Sequence, residues 1–89
     1  MTYYYYLTAA GKQISESLQQ QFGGVLRRKE EFTDATLAQD FQAADLLVFV
    51  LATGIAVRKL APLLRTKCTD PAVLVVSQDQ RYVISLLSG

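Results

Sequence analysis

Leu46-Leu47-Val48-Phe49-Val50-Leu51-Ala52-Thr53-Gly54 is the stretch that decides how this chain folds. Every position from Leu46 to Ala52 is apolar, with no alternation that would leave one side for water, which is the pattern of a parallel strand covered on both faces. Thr53-Gly54 then closes the run, and Ile55, Leu60, Leu63 and Leu64 resume at helical spacing. A central strand feeding a helix is expected here. Pro62 lacks an N–H and would cost ~3 kcal/mol inside a regular helix, so the helix should kink or split in two.

Upstream, Tyr3 to Leu7 is rich in aromatics suited to a pleated surface, and Ile14, Leu18 and Phe22 fall four apart on one helix face. Gly23-Gly24 stops that helix, and Val25 to Arg27 is short enough for an edge strand, with Arg27, Arg28 and Lys29 turned to water. Thr33 is placed to cap a second helix, Asp34 favours its positive end, and Leu37, Phe41 and Ala44 mark its buried stripe. Downstream, Asp70-Pro71 breaks the chain, and Ala72 to Val76 and Tyr82 to Leu86 read as two further strands. The polar loop Ser77-Gln78-Asp79-Gln80 between them suits a hairpin, not a crossover. The order predicts an open three-layer α/β sheet, mostly parallel, with helices on both faces and an antiparallel hairpin at its carboxyl-terminal edge.

At 89 residues, about half of them apolar, the chain fits one domain spanning 1–89. A net charge of +1 excludes the broad electrostatic attraction that drives non-specific nucleic-acid or membrane binding. The lone Cys68 can form no intramolecular disulfide and has no CxxC partner, pointing to a reducing compartment and hence the cytoplasm. The longest apolar run falls far short of the ~20 residues that span a bilayer. Histidine is absent, which removes Ser-His-Asp and Cys-His catalysis and every zinc site that needs imidazole.

In open α/β sheets ligands sit beyond the carboxyl ends of the strands, against helix N-termini. Two segments qualify, Leu51 to Ile55 and Leu87-Ser88-Gly89, and both are expected to open at the same edge. Gly54 would let a ligand approach the backbone and Thr53 offers a hydroxyl, although a Thr-Gly pair can equally serve as a helix cap. Arg58, one turn on, could reach a carboxylate at that mouth or point to solvent. Lys67 could bind an anion or complement a helix end, and Asp70 could act as a base or form an Asx turn before Pro71. Cys68 beside Lys67 reads as a small, partly buried side chain in preference to a nucleophile, and the tyrosine run as packing in preference to base stacking.

Ala52-Thr53-Gly54-Ile55-Ala56-Val57-Arg58, Ala61-Pro62-Leu63-Leu64, Lys67 with Asp70-Pro71-Ala72-Val73, and Val83-Ile84-Ser85-Leu86-Leu87-Ser88-Gly89 occur in order and at matching spacing. This segment resembles the amino-terminal signature of the CbiG family, the cobalt-precorrin-5A hydrolases of anaerobic cobalamin biosynthesis. Residues before Leu46 match that family only in strand and helix order. The resemblance implies a flavodoxin-like sheet and opening of the substrate's δ-lactone, with release of acetaldehyde during corrin ring contraction. The cobalt would be carried by the substrate, with no resident cofactor or protein metal site. It implies a carboxylate-rich tetrapyrrole held by Thr53, Gly54, Arg58, Lys67, Ser88 and Gly89, with Asp70 as the candidate catalytic base. The family's pattern continues past the Leu-Leu-Ser-Gly match into a histidine and a Gly-Gly-Ala-Asn segment. A chain cut short at its carboxyl end, the base in the missing histidine or another domain, and further domains of the same enzyme are therefore implied too. A non-catalytic tetrapyrrole-binding or domain-docking module is the alternative. A phosphate or nucleotide binder ranks last, because GxGxxG and GxxxxGK[ST] are absent.

Overall fold

A computed structural model describes residues 1–64 and 70–88. Strand β1 (Thr2–Tyr6) leads into α1 (Ala9–Phe22), then β2 (Val25–Arg27), α2 (Asp34–Ala43), β3 (Leu46–Val50), α3 (Thr53–Leu60), β4 (Ala72–Val76) and β5 (Val83–Ser88). Single 3₁₀ turns at Lys29–Glu31 and Ala61–Leu63 precede α2 and follow α3. The sheet order is β2-β1-β3-β4-β5, with β5 alone antiparallel. The expected α/β class and central position of Leu46–Val50 both hold, and Pro62 sits in the 3₁₀ turn where α3 ends.

Alternate residues of each strand feed opposite layers. Tyr3 and Tyr5, Leu47 and Phe49, and Val73 and Val75 form one core with Leu37 and Phe41 of α2 and Ala56 and Leu60 of α3. Tyr4, Val48 and Val50 form the other, against Ile14 and Leu18 of α1. The tyrosines are therefore packing residues. Tyr5 stacks on Phe49 with ring centroids 5.1 Å apart, an arrangement that adds to plain area burial.

Two expectations fail for a common reason, that periodicity finds a face but not its neighbours. Phe22, expected on the same helix face as Ile14 and Leu18, is 75% exposed at the last residue of α1, while Ile14 and Leu18 pack on the core. Arg27, expected in water, instead clamps Asp40 of α2 through Nε (2.9 Å) and Nη2 (2.8 Å). The Tyr5 hydroxyl donates to the same carboxylate, and the guanidinium lies 5.0 Å from the Tyr3 ring centroid. Burial, followed by the adjacent Asp40 carboxylate, pushes the Tyr5 hydroxyl well above its ordinary pKa. Arg27 is held firmly protonated, chiefly by its hydrogen bonds to Asp40.

Candidate functional site

The strand order 2-1-3-4-5 places a topological switch between β1 and β3, whose following helices depart to opposite faces of the sheet. The carboxyl edge beside such a switch is the usual ligand position in sheets of this order. Thr8 follows β1 on one side of that edge. It caps α1 by accepting the Gly11 N–H at 3.1 Å, and its hydroxyl also bonds the side-chain oxygen of Gln78 in the hairpin loop. Ala52 begins α3 on the other side with no side-chain cap. The amides of Thr53 and Gly54 thus belong to a helix end whose first N–H groups have no intrahelical acceptor. An added Cβ on Gly54 would meet nothing within 4 Å, so the space over this turn is open.

Leu51, Ala52 and Thr53 share a shallow cleft of about 260 Å³ with Ser77, Gln78, Asp79 and Tyr82. Its floor is fixed by the hairpin. The Ser77 hydroxyl accepts the N–H groups of Arg81 (2.9 Å) and Tyr82 (3.0 Å), and Asp79 accepts the Arg81 N–H at 3.1 Å. Asp79 also pairs with the Arg81 guanidinium at 3.5 Å, so its charge is partly countered. Gln80 turns the loop with φ of 62°, a left-handed conformation that a side chain adopts at a cost. Gln80→Gly is accordingly expected to stabilise the protein by about 0.5–1 kcal/mol, read from the urea midpoint. A lower midpoint would mean that the Gln80 side chain itself supports the turn.

The candidate residues from the sequence divide among three places. Thr53 and Gly54 stand at this carboxyl edge. Arg58 lies on the outer flank of α3, its Nε donating to the Gly54 carbonyl at 3.5 Å, beside a groove of about 350 Å³ lined also by Asp34, Lys59, Pro62 and Leu63. Lys59, missed in the sequence, bonds Asp34 at 3.1 Å there and lies 5.7 Å from the Phe32 ring centroid. Asp70 and Ser88 are at the opposite end of the sheet, where Ala72 pairs with Ser88.

The expectation that the Ser88 end opens beside Thr53 is therefore corrected. Because β5 runs antiparallel to β4, its carboxyl end returns to the amino edge of the parallel strands. A five-residue strand such as β4 puts ~16 Å between the two edges. Lys67, Cys68 and Gly89 lie outside the described residues. Among the described residues no cluster of three or more His, Cys, Asp or Glu is arranged to hold a metal, and no helix is long and apolar enough to cross a membrane.

Thr8, Gln78 and Tyr82 were not singled out in the sequence, although applying the strand-end rule to β1 as well as β3 would have found Thr8. Fold and strand order together define an open α/β domain of the flavodoxin-like order, with an uncapped helix start at the carboxyl edge of its sheet. The chain belongs to the cobalamin synthesis G N-terminal family, whose model matches residues 35–89. That match begins well upstream of the strand at which the sequence resemblance becomes close.

Over 54 residues the chain is 54% identical to a cobalt-precorrin-5A hydrolase of Salmonella typhimurium, covering 61% of this chain and 15% of that protein. A second cobalt-precorrin-5A hydrolase, from Priestia megaterium, is 43% identical over 49 residues, covering 55% of this chain and 13% of the relative. In structure the chain is similar to a cobalamin biosynthesis protein G homolog from Sulfolobus solfataricus. The TM-score is 0.77 at 27% identity, covering 99% of this chain and 29% of that one. The chain thus spans less than a third of the length of each of these proteins.

Proposed function

We propose that this chain is the amino-terminal, substrate-holding part of a cobalt-precorrin-5A hydrolase in cobalamin biosynthesis, and that the β1/β3 crevice receives carboxylate side chains of the tetrapyrrole. The observation that carries this reading is the uncapped α3 start at Thr53-Gly54. It lies at the switch point of the sheet and within the segment matched by the family model. Free helix-end amides and the Thr53 hydroxyl suit a carboxylate oxygen. Arg58 and Lys59, on the flank of the same helix, would engage further acidic arms of a macrocycle too wide for the crevice. Ser88, at the edge away from Thr53, is left out of this crevice, and Lys67 and Gly89 keep a proposed binding role on the family signature alone.

Opening a lactone requires water to add to the ring carbonyl, the ring C–O bond to break and the departing oxygen to receive a proton. A base must therefore stand beside the bound lactone. Asp70 lies at the other edge of the sheet from Thr53. That separation favours assigning the proton transfers to the rest of a longer polypeptide and leaving binding and orientation to this domain. Cobalt would enter with the substrate, no resident cofactor is required, and the reaction would take place in the cytoplasm.

Gly54→Ala tests the crevice. With open space over the turn and a helical backbone, the substitution should raise stability by about 0.5–1 kcal/mol. The added methyl stands where a ligand oxygen must approach the amides, so titration of the 89-residue chain with the cobalt tetrapyrrole should give a Kd about tenfold weaker, one lost hydrogen bond to a charged group. An unchanged Kd would place the ligand elsewhere. Absence of acetaldehyde from a folded, full-length enzyme carrying this domain would reject the hydrolase assignment itself.

A further inference from the structure

The two faces of the sheet are covered unequally. Among the described residues α2 and α3 lie together over one core, whereas α1 alone lies over the other, packed on Tyr4, Val48 and Val50. Beside α1 an apolar trough of about 330 Å³ runs from Tyr4 of β1 past Val48 of β3 to Leu74, Val76 and Val83 of β4 and β5, walled by Leu18 and Phe22. Val83 is 58% exposed and Phe22 75% exposed. Exposed aliphatic and aromatic side chains in one contiguous patch mark an interaction surface.

We infer that this trough is the seat of an amphipathic helix with an aliphatic stripe, supplied by the polypeptide that lies outside the matched region in the longer family members. Three observations select that occupant. With Val48 and Val50 of β3 already under α1, the open strip lies over β4 and β5, and two strands ~4.8 Å apart with their side chains make a bed ~10 Å wide, the width of one α-helix. The α1 ridge makes the strip a trough, which fits a rod and not the flat face of another sheet. The matched region is only 15% of the Salmonella relative and 29% of the Sulfolobus chain, so in those proteins this domain sits among several times its own length of polypeptide. A helix there would complete the third layer over strands whose apolar residues call for cover on both faces. The inference rests on family membership and the open face, and is independent of what the crevice binds.

Thiol labelling at the trough tests it. In a Cys68→Ser background, Val83→Cys should react rapidly with a maleimide in the 89-residue chain, which should sediment as a monomer. Fusing at Gly89 the portion of the Salmonella relative that follows its matched region should slow labelling at least about tenfold, as should one member of a set of synthetic peptides covering the same portion, added in trans. Val76→Lys should weaken that peptide about tenfold, the loss expected from one buried aliphatic contact. Equal labelling rates in the free chain, the fusion and every peptide mixture would overturn the inference. So would protection of the free chain that rises with concentration alongside dimer formation, since a second copy would then be the occupant. If the fusion does not fold, the peptide arm decides the question.

Discussion

Asp40→Ala is expected to lower the unfolding free energy by about 3–5 kcal/mol, seen as a fall in the urea midpoint with little change in slope. The carboxylate is 4% exposed and receives two guanidinium contacts from Arg27 and the hydroxyl of Tyr5. Truncation removes the charge but leaves its partners behind. Arg27, 23% exposed, loses its principal counter-charge, and the Tyr5 hydroxyl is left in an apolar interior without an acceptor. Glu31 offers Arg27 only a secondary contact at 3.4 Å. A domain of this size has a total stability of order 5–15 kcal/mol, so the variant should approach the unfolding threshold.

Two companions separate charge from packing. Tyr5→Phe deletes one hydrogen bond and should cost about 1.5–3 kcal/mol, while Asp40→Leu combined with Arg27→Met should lie closer to the parent than Asp40→Ala does. A loss below about 1 kcal/mol for Asp40→Ala would mean that solvent reaches Arg27 readily and that the clamp is a surface pair.

That clamp also marks the limit of the sequence reading. Asp40 lies on the same face of α2 as Leu37 and Phe41, and helical spacing alone places it inward. What spacing cannot supply is the partner. Arg27 comes from a three-residue edge strand whose neighbours are set by the sheet order, and nothing in Val25-Leu26-Arg27 reveals that α2 passes over it. The fully apolar β3 was legible because burial on both faces leaves a one-dimensional trace. Likewise Pro62 and the polar four-residue loop announced a helix end and a hairpin through local chemistry.

The site was legible only in part. Thr53-Gly54 follows from strand-then-turn-then-helix logic, and the structure leaves that turn open. The misplaced Ser88 end was avoidable in principle. The short loop that signals a hairpin also reverses the strand, so the end of β5 has to lie beside the start of β4 and away from Thr53. Lys59 is a different case. Its neighbour Asp34 is 25 residues distant along the chain, and only the side-by-side packing of α2 and α3 on one face brings them together.

The crevice depends on how closely α1 lies on the sheet, and Gly11 sets that distance. A Cβ built on Gly11 would come within 2.7 Å of the Val50 carbonyl oxygen and 3.2 Å of the Tyr6 Cβ. The first of these is backbone of the central strand and cannot swing aside. Gly11→Ala should therefore destabilise by about 1–3 kcal/mol, the range for forcing one extra carbon into a close-packed interior. The sign is informative, since alanine replacing glycine at an unstrained helical position normally stabilises, as expected for Gly54.

The consequence reaches the site because the Gly11 N–H is the donor held by Thr8, and Thr8 also touches Gln78 across the crevice. Lifting α1 off β3 shifts the cap and opens the wall facing Thr53. Gly11→Ala should thus weaken tetrapyrrole binding as well as stability, whereas Gly54→Ala should weaken binding while stability rises. Stability changes of opposite sign with loss of binding in both variants would be hard to obtain if the ligand lay anywhere but between these two helix ends. A stabilised Gly11→Ala protein would instead mean that α1 rides further from the strands, and that Thr8 is not fixed as one wall of the crevice.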